Sequence, residues 1–521
     1  MNTLNNINKS EMKTLGQLLG NLSFQIKSGS QVAGSSFDLP VLDLIYDSRK
    51  AKENTVFFAI VGETVNAHKF VNDVYEKGCR IFVVSEDVVL PEDTVIIKVE
   101  NVRVALSSMS NLFFGQPSKE LVVIGITGTK GKTSVASYIR HVFESSGVKT
   151  GIIGTYGIVY GDCCQKTSNT TPESYILHKA LRDMANEDVQ LVVMEVSSGA
   201  MMMHRCDDVA FQLGIFTNLS PDHIGPTEHP NFEDYIECKC RLFKLCNLAL
   251  IGQGTPYMDQ VLHRIQTIFS EKGLPQTAIK TYGISDEGQY TYSCNKIATE
   301  NDPIGISFNC VENGVSTTYF LPALGQFTAL NGLAAIGACR GLGLLRSQIK
   351  DHLSNAKVPG RFEVMDVGLD GMVILDYAHN KASMDAILQS LKEVPHNRLI
   401  CVFGSVGQRT QIRRKELGES VSTYCDIAII TSEDPGFENP MDIINEIHQA
   451  FLPDSNCQVI KEVDRALAIE KALALLEKGD ILVIAGKSQD KYNLVNGVSI
   501  PYDEPAIVRE KASKLLASKE K

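Results

Sequence analysis

The segment LVVIGITGTKGKT, residues 121–133, constrains the fold of this chain more than any other. A run of apolar residues leads into three glycines, and the pair Lys132-Thr133 follows directly. Small residues let successive backbone N–H groups converge on an anion, a lysine supplies a mobile positive charge, and a hydroxyl can bind magnesium. The segment therefore predicts a buried strand, a phosphate-binding loop and a nucleotide site.

An amphipathic helix is predicted directly after this loop. Apolar residues recur at helical spacing from Val135 to Phe143, and Gly147 is a suitable C-terminal stop. The strict phosphate-loop pattern would place its first glycine at Ile126, whereas this chain has its glycine one residue earlier, so the loop is a variant. We expect seven residues to bind the nucleotide: Gly128, Thr129, Lys130, Gly131, Lys132, Thr133 and Ser134.

The composition is that of an ordinary soluble protein with several domains. Of the 521 residues, 44% are hydrophobic and 21% are charged, and no apolar run is long enough to cross a bilayer. The polar amino terminus lacks the apolar core of a secretion signal, so we expect a cytoplasmic protein with reduced cysteines. Cysteine spacing suits neither zinc nor disulfides and predicts buried thiols at Cys163, Cys164, Cys238 and Cys240. A formal charge of −11 argues against nucleic acid as a partner.

β-like and helical patterns alternate along three successive segments. The first ends near Pro117 and contains β-like runs at 41–46, 55–61, 80–84 and 94–99. The second holds the phosphate loop, a buried-type strand at 191–196 and a helix around 331–345. The third opens with the Pro-Gly turn after Val358 and contains strands at 373–377, 398–403, 426–430 and 481–485.

This alternation predicts an α/β protein with mostly parallel, doubly wound sheets. We divide it into three domains: residues 1–117, a central nucleotide-binding domain at 118–357, and a Rossmann-like C-terminal domain at 358–521.

Two polar positions after apolar runs are candidate metal ligands. Glu195 lies within LVVMEVSS, where a charged carboxylate is costly unless it is paired or coordinated. We predict that Glu195 and the Thr133 hydroxyl bind the magnesium of the nucleotide, with a strand-capping glutamate as the alternative. His223 in FTNLSPDHIG is either a second metal ligand or a hydrogen-bonded loop residue, and the residues alone leave both readings open.

Ordered motifs along nearly the whole chain resemble those of the Mur ligases, the ATP-dependent enzymes that build the peptide of bacterial cell-wall precursors. The motifs are YDSRKAKENTVFFAIVG, GITGTKGKTS, NTTPE, MEVSS, FTNLSPDH, CKCRLF, VPGRFE, DYAHN, the FGSVGQR region and IAGK. Within the family, the likeness is strongest to the UDP-N-acetylmuramoyl-tripeptide synthetase branch. The resemblance implies an N-terminal domain that holds the uridine nucleotide, a central ATPase domain, and a C-terminal domain that binds the incoming amino acid and closes over ATP.

The resemblance also implies the reaction. ATP would phosphorylate the terminal carboxylate of UDP-N-acetylmuramoyl-L-alanyl-D-glutamate, and the amine of a free amino acid would then attack the acyl phosphate. ATP and Mg²⁺ are the expected cofactors, and we expect a monomer that does not insert into membranes. The alternatives are another ligase of the superfamily such as a folylpolyglutamate synthase, a non-catalytic nucleotide-binding paralogue that regulates wall synthesis, and a small-molecule kinase.

Lys239 in CKCRLF lies where the family carries a lysine that carbon dioxide converts to a carbamate. The structural alternative is a solvated lysine on a helix. Carbamylation requires the neutral amine, which is scarce in water because lysine has a pKa of about 10.4. Burial would therefore have to lower the pKa of Lys239. With that condition met, the resemblance implies that the carbamate of Lys239, together with His223 and Glu195, shapes a second magnesium site.

The resemblance assigns roles to further residues by their place in the motifs. Lys132, His223, Lys239 and Arg361 are assigned to catalysis. Asn331, Arg361 and Asp376 are assigned to ATP, and Ser48, Thr170, Thr171, Ser197 and Arg205 to the uridine-sugar nucleotide and the muramoyl peptide. Arg409 and Arg414 are candidates for binding the α-carboxylate of the incoming amino acid.

The added amino acid is predicted from a departure in the third domain. Family members that add meso-diaminopimelate carry Asp-Asn-Pro-Arg, whose arginine binds the distal carboxylate, whereas this chain has Glu433-Asp434-Pro435-Gly436. Glu433 and Asp434 favour a cationic side chain, so we predict L-lysine or a similar diamine. Two other departures are Gly199 for a histidine, and GKSQD at 486–490 for Gly-Lys-Gly-His-Glu. We interpret both as changes around the pocket for the third substrate.

Overall fold

The computed structural model describes residues 12–27, 36–62, 65–222, 224–225, 228–285, 289–408 and 411–519. The chain divides into two compact units. The first comprises residues 1–284, 290–292 and 334–344, and the second comprises residues 285–289, 293–333 and 345–521. The three-domain division at residues 117 and 357 remains a prediction.

The first unit begins with a small α/β sheet. Its strands are β1 (Gln25–Ile26), β2 (Asp43–Ile45), β3 (Thr55–Phe58), β4 (Ile81–Val84) and β5 (Val95–Lys98), and its helices are α1 (Leu15–Leu19), α2 (Val71–Glu76) and α3 (Val102–Phe113). The strand order is β1-β5-β4-β3-β2, with only β1 antiparallel to its neighbour. Strands β3 and β4 are buried along their whole length, as expected when both faces of a parallel sheet are covered.

A larger sheet follows in the same unit. Its strands are β6 (Val122–Thr127), β7 (Thr150–Gly154), β8 (Gly157–Tyr160), β9 (Cys163–Gln165), β10 (Leu191–Glu195), β11 (Phe211–Phe216), β12 (Cys246–Gly252) and β13 (Ile279–Ile284). They lie in the order β13-β12-β11-β6-β10-β7-β8-β9 and are parallel from β13 to β7. The helices are α4 (Lys132–Ser145), α5 (Ser174–Asn186), α6 (Ser198–Met202), α7 (Phe232–Arg241) and α8 (Met258–Glu271). The carboxyl ends of β10, β6 and β11 therefore meet at one edge, where ligands bind in open α/β sheets.

The second unit contains an antiparallel meander and a six-stranded sheet. The meander is β14 (Tyr292–Asn301), β15 (Ile304–Glu312) and β16 (Val315–Leu321). The sheet has β17 (Glu363–Met365), β18 (Met372–Asp376), β19 (Leu399–Phe403), β20 (Ile427–Ile430), β21 (Gln458–Lys461) and β22 (Ile481–Ala485) in the order β17-β18-β22-β19-β20-β21, parallel except for β17. A hairpin, β23 (Tyr492–Val495) and β24 (Val498–Pro501), follows. The helices are α10 (Arg346–Leu353), α11 (Lys381–Lys392), α12 (Ile412–Tyr424), α13 (Pro440–Gln449), α14 (Arg465–Leu475) and α15 (Glu504–Lys519). Helix α9 (Gln326–Gly341) is divided, with residues 326–333 in the second unit and the rest in the first.

The α/β class and the parallel sheets are confirmed. The four strands predicted in the third segment correspond to β18, β19, β20 and β22 within one residue at each end, because apolar runs of that length are buried on both faces. Among the described residues, every helix is too short or too polar to cross a membrane.

Most of the thiols are buried, and all 13 cysteines are free. Cys238 and Cys240 on α7 are buried as predicted. The prediction is wrong for Cys164, which is exposed, and Cys163 is only half-buried. Both belong to β9, the outermost strand of its sheet, where one side has no neighbouring strand to cover it.

Candidate active site

The phosphate loop connects β6 to α4. Gly128 has φ of 138° and Gly131 has φ of 85°, values that favour glycine. A Cβ on Gly128 would also collide with the hydroxyl of Thr217. The amino group of Lys132 donates to the carbonyl oxygens of Gly128 at 2.8 Å and Thr129 at 3.2 Å. A loop of this conformation at the N-terminus of a helix is suited to binding an anion.

The segment after β11 anchors this loop, a role that the sequence analysis missed. Asn218 accepts hydrogen bonds from the backbone N–H of Thr129 at 2.9 Å and of Lys130 at 3.0 Å. The hydroxyl of Thr217 donates to the Lys130 carbonyl at 2.6 Å. Both residues belong to the FTNLSPDH motif, and the adjacency of β11 and β6 explains their position.

Glu195 lies at the end of β10 beside the loop and is 1% exposed. The hydroxyl of Thr133 donates to its Oε2 at 2.9 Å, and the hydroxyl of Thr155 donates to the same oxygen at 3.3 Å. The backbone N–H of Thr155 donates to Oε1 at 2.9 Å. Within the described residues, no basic side chain pairs with Glu195. A buried carboxylate beside a hydroxyl and without a cation is a suitable donor set for a divalent ion. Thr155 was not identified from the sequence.

Lys239 on α7 is 2% exposed, and its amino group donates to the Gly128 carbonyl at 3.0 Å. The same carbonyl accepts the bond from Lys132, so two amino groups converge on one oxygen. Burial first, and then the charge of Lys132, hold the pKa of Lys239 well below its usual range. The pKa shift that carbamylation requires therefore has the expected direction and the expected main cause.

Tyr235 connects Lys239 to the phosphate loop and was also missed. The Lys239 nitrogen lies 4.3 Å from the centre of the Tyr235 ring, and the Tyr235 hydroxyl lies 3.2 Å from that of Thr129. The Thr129 hydroxyl in turn accepts a bond from the backbone N–H of Ser220 at 3.0 Å. His223, three residues further on, lies outside the described residues, so its metal role remains a prediction.

A cavity of about 380 Å³ in the first unit contains Ser48 in its lining. Charged residues of the lining include Asp47, Arg49, Arg103 and Glu173. Aromatic and aliphatic side chains, such as those of Phe57 and Ile60, complete it. This mixture of apolar surface and a few charged groups is typical of a site for a polar small molecule.

Three of the five residues assigned to the sugar nucleotide and peptide, Thr171, Ser197 and Arg205, have polar contacts between this cavity and Glu195. Glu173 accepts bonds from Arg205 at 2.9 Å and from Arg103 at 3.1 Å, and Arg205 also donates to the Thr171 carbonyl at 3.1 Å. The Thr171 hydroxyl donates to the Glu195 carbonyl at 2.9 Å and accepts from the backbone N–H of Ser197 at 3.1 Å. Thr170 is half-buried beside Thr171. The network extends from the cavity to Glu195.

Three residues assigned to ATP belong to the second unit: Asp376 at the end of β18, Asn331 on α9, and Arg361 in the turn before β17. The carboxylate of Asp376 accepts from the backbone N–H groups of Phe362 at 2.7 Å and Ala378 at 2.8 Å. Burial raises the pKa of Asp376, and the charge of Arg361 opposes this rise. The Arg361 guanidinium lies 4.8 Å from the centre of the Tyr377 ring, and Asn331 is half-buried on α9.

Glu433 and Asp434 follow β20, but their surroundings differ. Both Asp434 oxygens accept from the Lys487 amino group at 2.9 Å, and one also accepts from the backbone N–H of Leu494 at 2.7 Å. Glu433 is 5% exposed, and its Oε2 has no hydrogen-bond partner in the described part of the chain. Glycines 404 and 486 leave room for this side chain, since a Cβ on either would collide with it. Of the two predicted carboxylates, Glu433 is the one with a buried oxygen that lacks a hydrogen bond in the described part of the chain.

Arg414 has partners within the chain that the sequence analysis did not foresee. It is 2% exposed and bridges Glu438 and Glu446, each at 2.7 Å. To bind the carboxylate of an amino acid it would have to exchange one of these partners. Arg409 lies outside the described residues, so its role remains a prediction.

Replacement of Glu433 by glutamine is expected to make the stability of the folded protein depend less on pH. Burial raises the pKa of Glu433 from 4.5 to about 7, so between these values the native state binds more protons than the unfolded state. The free energy of unfolding therefore falls as pH rises through this window, by up to about 3 kcal/mol. Melting temperatures at pH 5 and pH 8 should differ more for the parent than for Glu433→Gln. The exposed control Glu393→Gln should follow the parent, and identical pH dependence of all three proteins would contradict the prediction.

Comparison of the sequence with known protein families gives matches to one family. Residues 126–339 match the Mur ligase middle domain, and residues 360–488 match the Mur ligase glutamate ligase domain. A UDP-N-acetylmuramoyl-L-alanyl-D-glutamate--2,6-diaminopimelate ligase of Clostridium perfringens is 34% identical over 496 residues, covering 95% of this chain and 98% of that protein. A UDP-N-acetylmuramyl-tripeptide synthetase of Ligilactobacillus salivarius is 34% identical over 479 residues, covering 90% of this chain and 93% of that protein.

A solved structure of a UDP-N-acetylmuramoyl-L-alanyl-D-glutamate--2,6-diaminopimelate ligase has the same fold. Its TM-score is 0.69 at 23% identity, and the match covers 97% of this chain and 99% of that one. The chain belongs to the Mur ligase family. It is an ATP-dependent ligase that forms peptide bonds.

Proposed function

We propose that this ligase adds the third amino acid to UDP-N-acetylmuramoyl-L-alanyl-D-glutamate and that L-lysine or a similar diamine is the amino acid added. The acceptor is supported by the names of the relatives, which cover almost the whole chain. The relative from Clostridium perfringens is named for diaminopimelate, so the choice of amino acid rests on this chain's own residues.

The charges after β20 and β22 support a cationic substrate. Glu433, Asp434 and Asp490 supply three carboxylates. Lys487 contacts Asp434 at 2.9 Å and Asp490 at 3.7 Å, and the charges of Arg465 and Lys487 both act on Glu433. Gly436 occupies the place of the arginine that binds the distal carboxylate in diaminopimelate-adding members. A second carboxylate on the substrate would lack the arginine that binds it, whereas the excess of carboxylates would attract an ammonium group. Gly436 in place of that arginine is the observation that carries this choice.

The phosphate loop neutralises charge while an acyl phosphate forms. The backbone N–H groups of the loop and the amino group of Lys132 would hold the phosphates, and the acceptor carboxylate would attack the γ-phosphorus. The amine of the third amino acid would then attack the acyl carbon and expel phosphate. Bound at Thr133 and Glu195, Mg²⁺ would supply further positive charge. The work of the chain is mainly positioning, because several negative groups must be held together before bonds change.

The other residues assigned from the motifs are proposed to bind the second metal ion and the three substrates. Lys239 would act as its carbamate, since a neutral buried amine can react with carbon dioxide, and His223 would lie with it at the second metal site. Ser48, Thr170, Thr171, Ser197 and Arg205 would bind the uridine-sugar nucleotide and its peptide. Asn331, Arg361 and Asp376 would bind ATP, and Arg409 and Arg414 the α-carboxylate of the amino acid.

An amino-acid panel tests this function directly. Release of ADP and phosphate is measured with ATP, Mg²⁺, UDP-N-acetylmuramoyl-L-alanyl-D-glutamate and either L-lysine, L-ornithine, meso-diaminopimelate or L-alanine. We expect L-lysine to exceed meso-diaminopimelate in kcat/KM by about tenfold or more, because one unmatched charge in a buried pocket costs that much.

A matched variant tests the reason for the preference. Gly436→Arg restores the family's arginine and should raise kcat/KM for meso-diaminopimelate while lowering it for L-lysine. A parent enzyme that prefers meso-diaminopimelate would overturn the choice of amino acid, and absence of ADP formation with every amine would overturn the acceptor as well.

A further inference from the structure

The turn that carries Arg361 is held on both sides by side chains. Gly360 precedes Arg361 and Phe362 follows it, and the backbone N–H of Phe362 donates to Asp376 at 2.7 Å. Arg361 itself donates through its backbone N–H to the Val358 carbonyl at 3.0 Å. The backbone N–H and carbonyl groups of Gly360 are bound by Glu363 and by a residue of the GKSQD segment.

Ser488 binds the carbonyl side of Gly360. Its hydroxyl donates to the Gly360 oxygen at 2.9 Å, and its backbone N–H donates to Glu504 at 3.0 Å. Ser488 is fully buried and has φ of +49°, a left-handed conformation that is unfavourable for a residue with a Cβ. A residue with a Cβ that is held in this backbone conformation points to a specific role for its side chain. Gly360 has φ of +63°, and a Cβ on it would collide with the Ser488 hydroxyl.

Glu363 and Gln489 bind the amide side of Gly360. The Glu363 Oε2 accepts from the backbone N–H of Gly360 at 2.6 Å and from the Gln489 amide at 3.0 Å. Together, Glu363, Ser488 and Gln489 form a polar clasp that fixes both backbone polar groups of Gly360. The sequence-based interpretation placed the GKSQD departures around the third-substrate pocket. Lys487 does contact Asp434, but Ser488 and Gln489 contact the turn before Arg361 instead.

We propose that the polar clasp of Glu363, Ser488 and Gln489 positions Arg361 for binding the phosphates of ATP. The inference rests on the proposed role of Arg361 in ATP binding. An arginine is a long, flexible side chain, so a fixed backbone reduces the conformational freedom that phosphate binding must remove. The three residues act through Arg361 and do not themselves contact the nucleotide.

Two variants open the clasp in different ways. Glu363→Ala removes the shared acceptor, whereas Glu363→Gln keeps one acceptor oxygen in the same place and serves as the conservative variant. Ser488→Gly removes the hydroxyl and also relieves the left-handed strain, so the lost hydrogen bond and the relieved strain act on the melting temperature in opposite directions. Asn313→Gly is the matched control, because Asn313 has φ of +51° in an exposed turn between β15 and β16.

The readouts are the Kd of the full-length protein for the non-hydrolysable analogue AMPPCP with Mg²⁺, measured by calorimetry, and the KM for ATP. We expect Glu363→Ala and Ser488→Gly to weaken AMPPCP binding about fivefold or more, as for the loss of one positioning hydrogen bond. Glu363→Gln should lose less, Asn313→Gly should match the parent, and the KM for the amino acid should not change. In an Arg361→Ala background the clasp variants should cause no further loss, because their effect passes through Arg361.

Each other result overturns the inference. If Arg361→Ala weakens binding but both clasp variants stay within about twofold of the parent, the clasp does not position Arg361. Equal losses in the presence and absence of Arg361 would show a purely structural role. If Arg361→Ala binds AMPPCP as the parent does, the role of Arg361 is wrong and the clasp inference fails with it, while the choice of amino acid stands. Should Glu363→Ala not fold, Ser488→Gly decides alone.

Discussion

Alanine in place of Lys239 is expected to reduce ADP formation by about a thousandfold or more, because a charged group beside the transferred phosphate contributes on that scale. Lys239 is buried, and its amino group meets that of Lys132 at the Gly128 carbonyl. Converting the neutral amine to a carbamate releases a proton and places a negative charge beside the amino group of Lys132. The rate of ADP release with saturating substrates is the measurement.

Chemical rescue separates the carbamate from a structural role of Lys239. Acetate, which supplies a carboxylate of similar size, should restore part of the activity of Lys239→Ala and should not stimulate the parent. Labelled bicarbonate should give a carbamate carbon signal in the parent that is absent from the variant. Lys244→Ala, which removes an exposed lysine five residues further along the chain, is the control and should retain full activity. Full activity of Lys239→Ala would contradict the assignment.

Glutamine in place of Glu195 is expected to lower kcat by about a hundredfold or more, because it removes the buried charge that would hold the magnesium of the nucleotide. The substitution keeps the size of the side chain and one acceptor for the Thr155 N–H, so the melting temperature should change little. Activity measured against Mg²⁺ concentration should show a higher requirement in the variant.

The control for this substitution is Glu187→Gln, which removes the charge of an exposed glutamate at the end of α5. Its Mg²⁺ requirement should equal that of the parent. If Glu195→Gln lost stability and activity together with an unchanged Mg²⁺ requirement, Glu195 would be a structural residue that supports Thr133 and Thr155.

Local signals account for the features that were predicted from the sequence. The phosphate loop was identified from its glycines and the Lys132-Thr133 pair, and in the structure Gly128 and Gly131 have positive φ angles, which favour glycine. Strands β10, β19 and β22 were identified because each is an apolar run buried on both faces. Glu195 was identified because a carboxylate in such a run is unusual.

Contacts between distant segments account for what was missed. Tyr235 reaches Thr129 across more than a hundred residues, and Asn218 reaches the same loop across nearly ninety. Apolar periodicity does not encode which polar side chain meets which backbone group. The same reason explains Asp434, which follows β20, because its partner Lys487 follows β22 and only β19 separates these two strands in the folded sheet.

The distribution of thiols has a practical consequence for experiments on this enzyme. Ten cysteines are buried, whereas Cys164 alone is exposed, at the outer strand of the sheet that carries the phosphate loop. Cys163 and Cys457 are half-buried. A maleimide fluorophore should therefore attach chiefly at Cys164 without any engineered substitution, which gives the unmodified chain a defined labelling position.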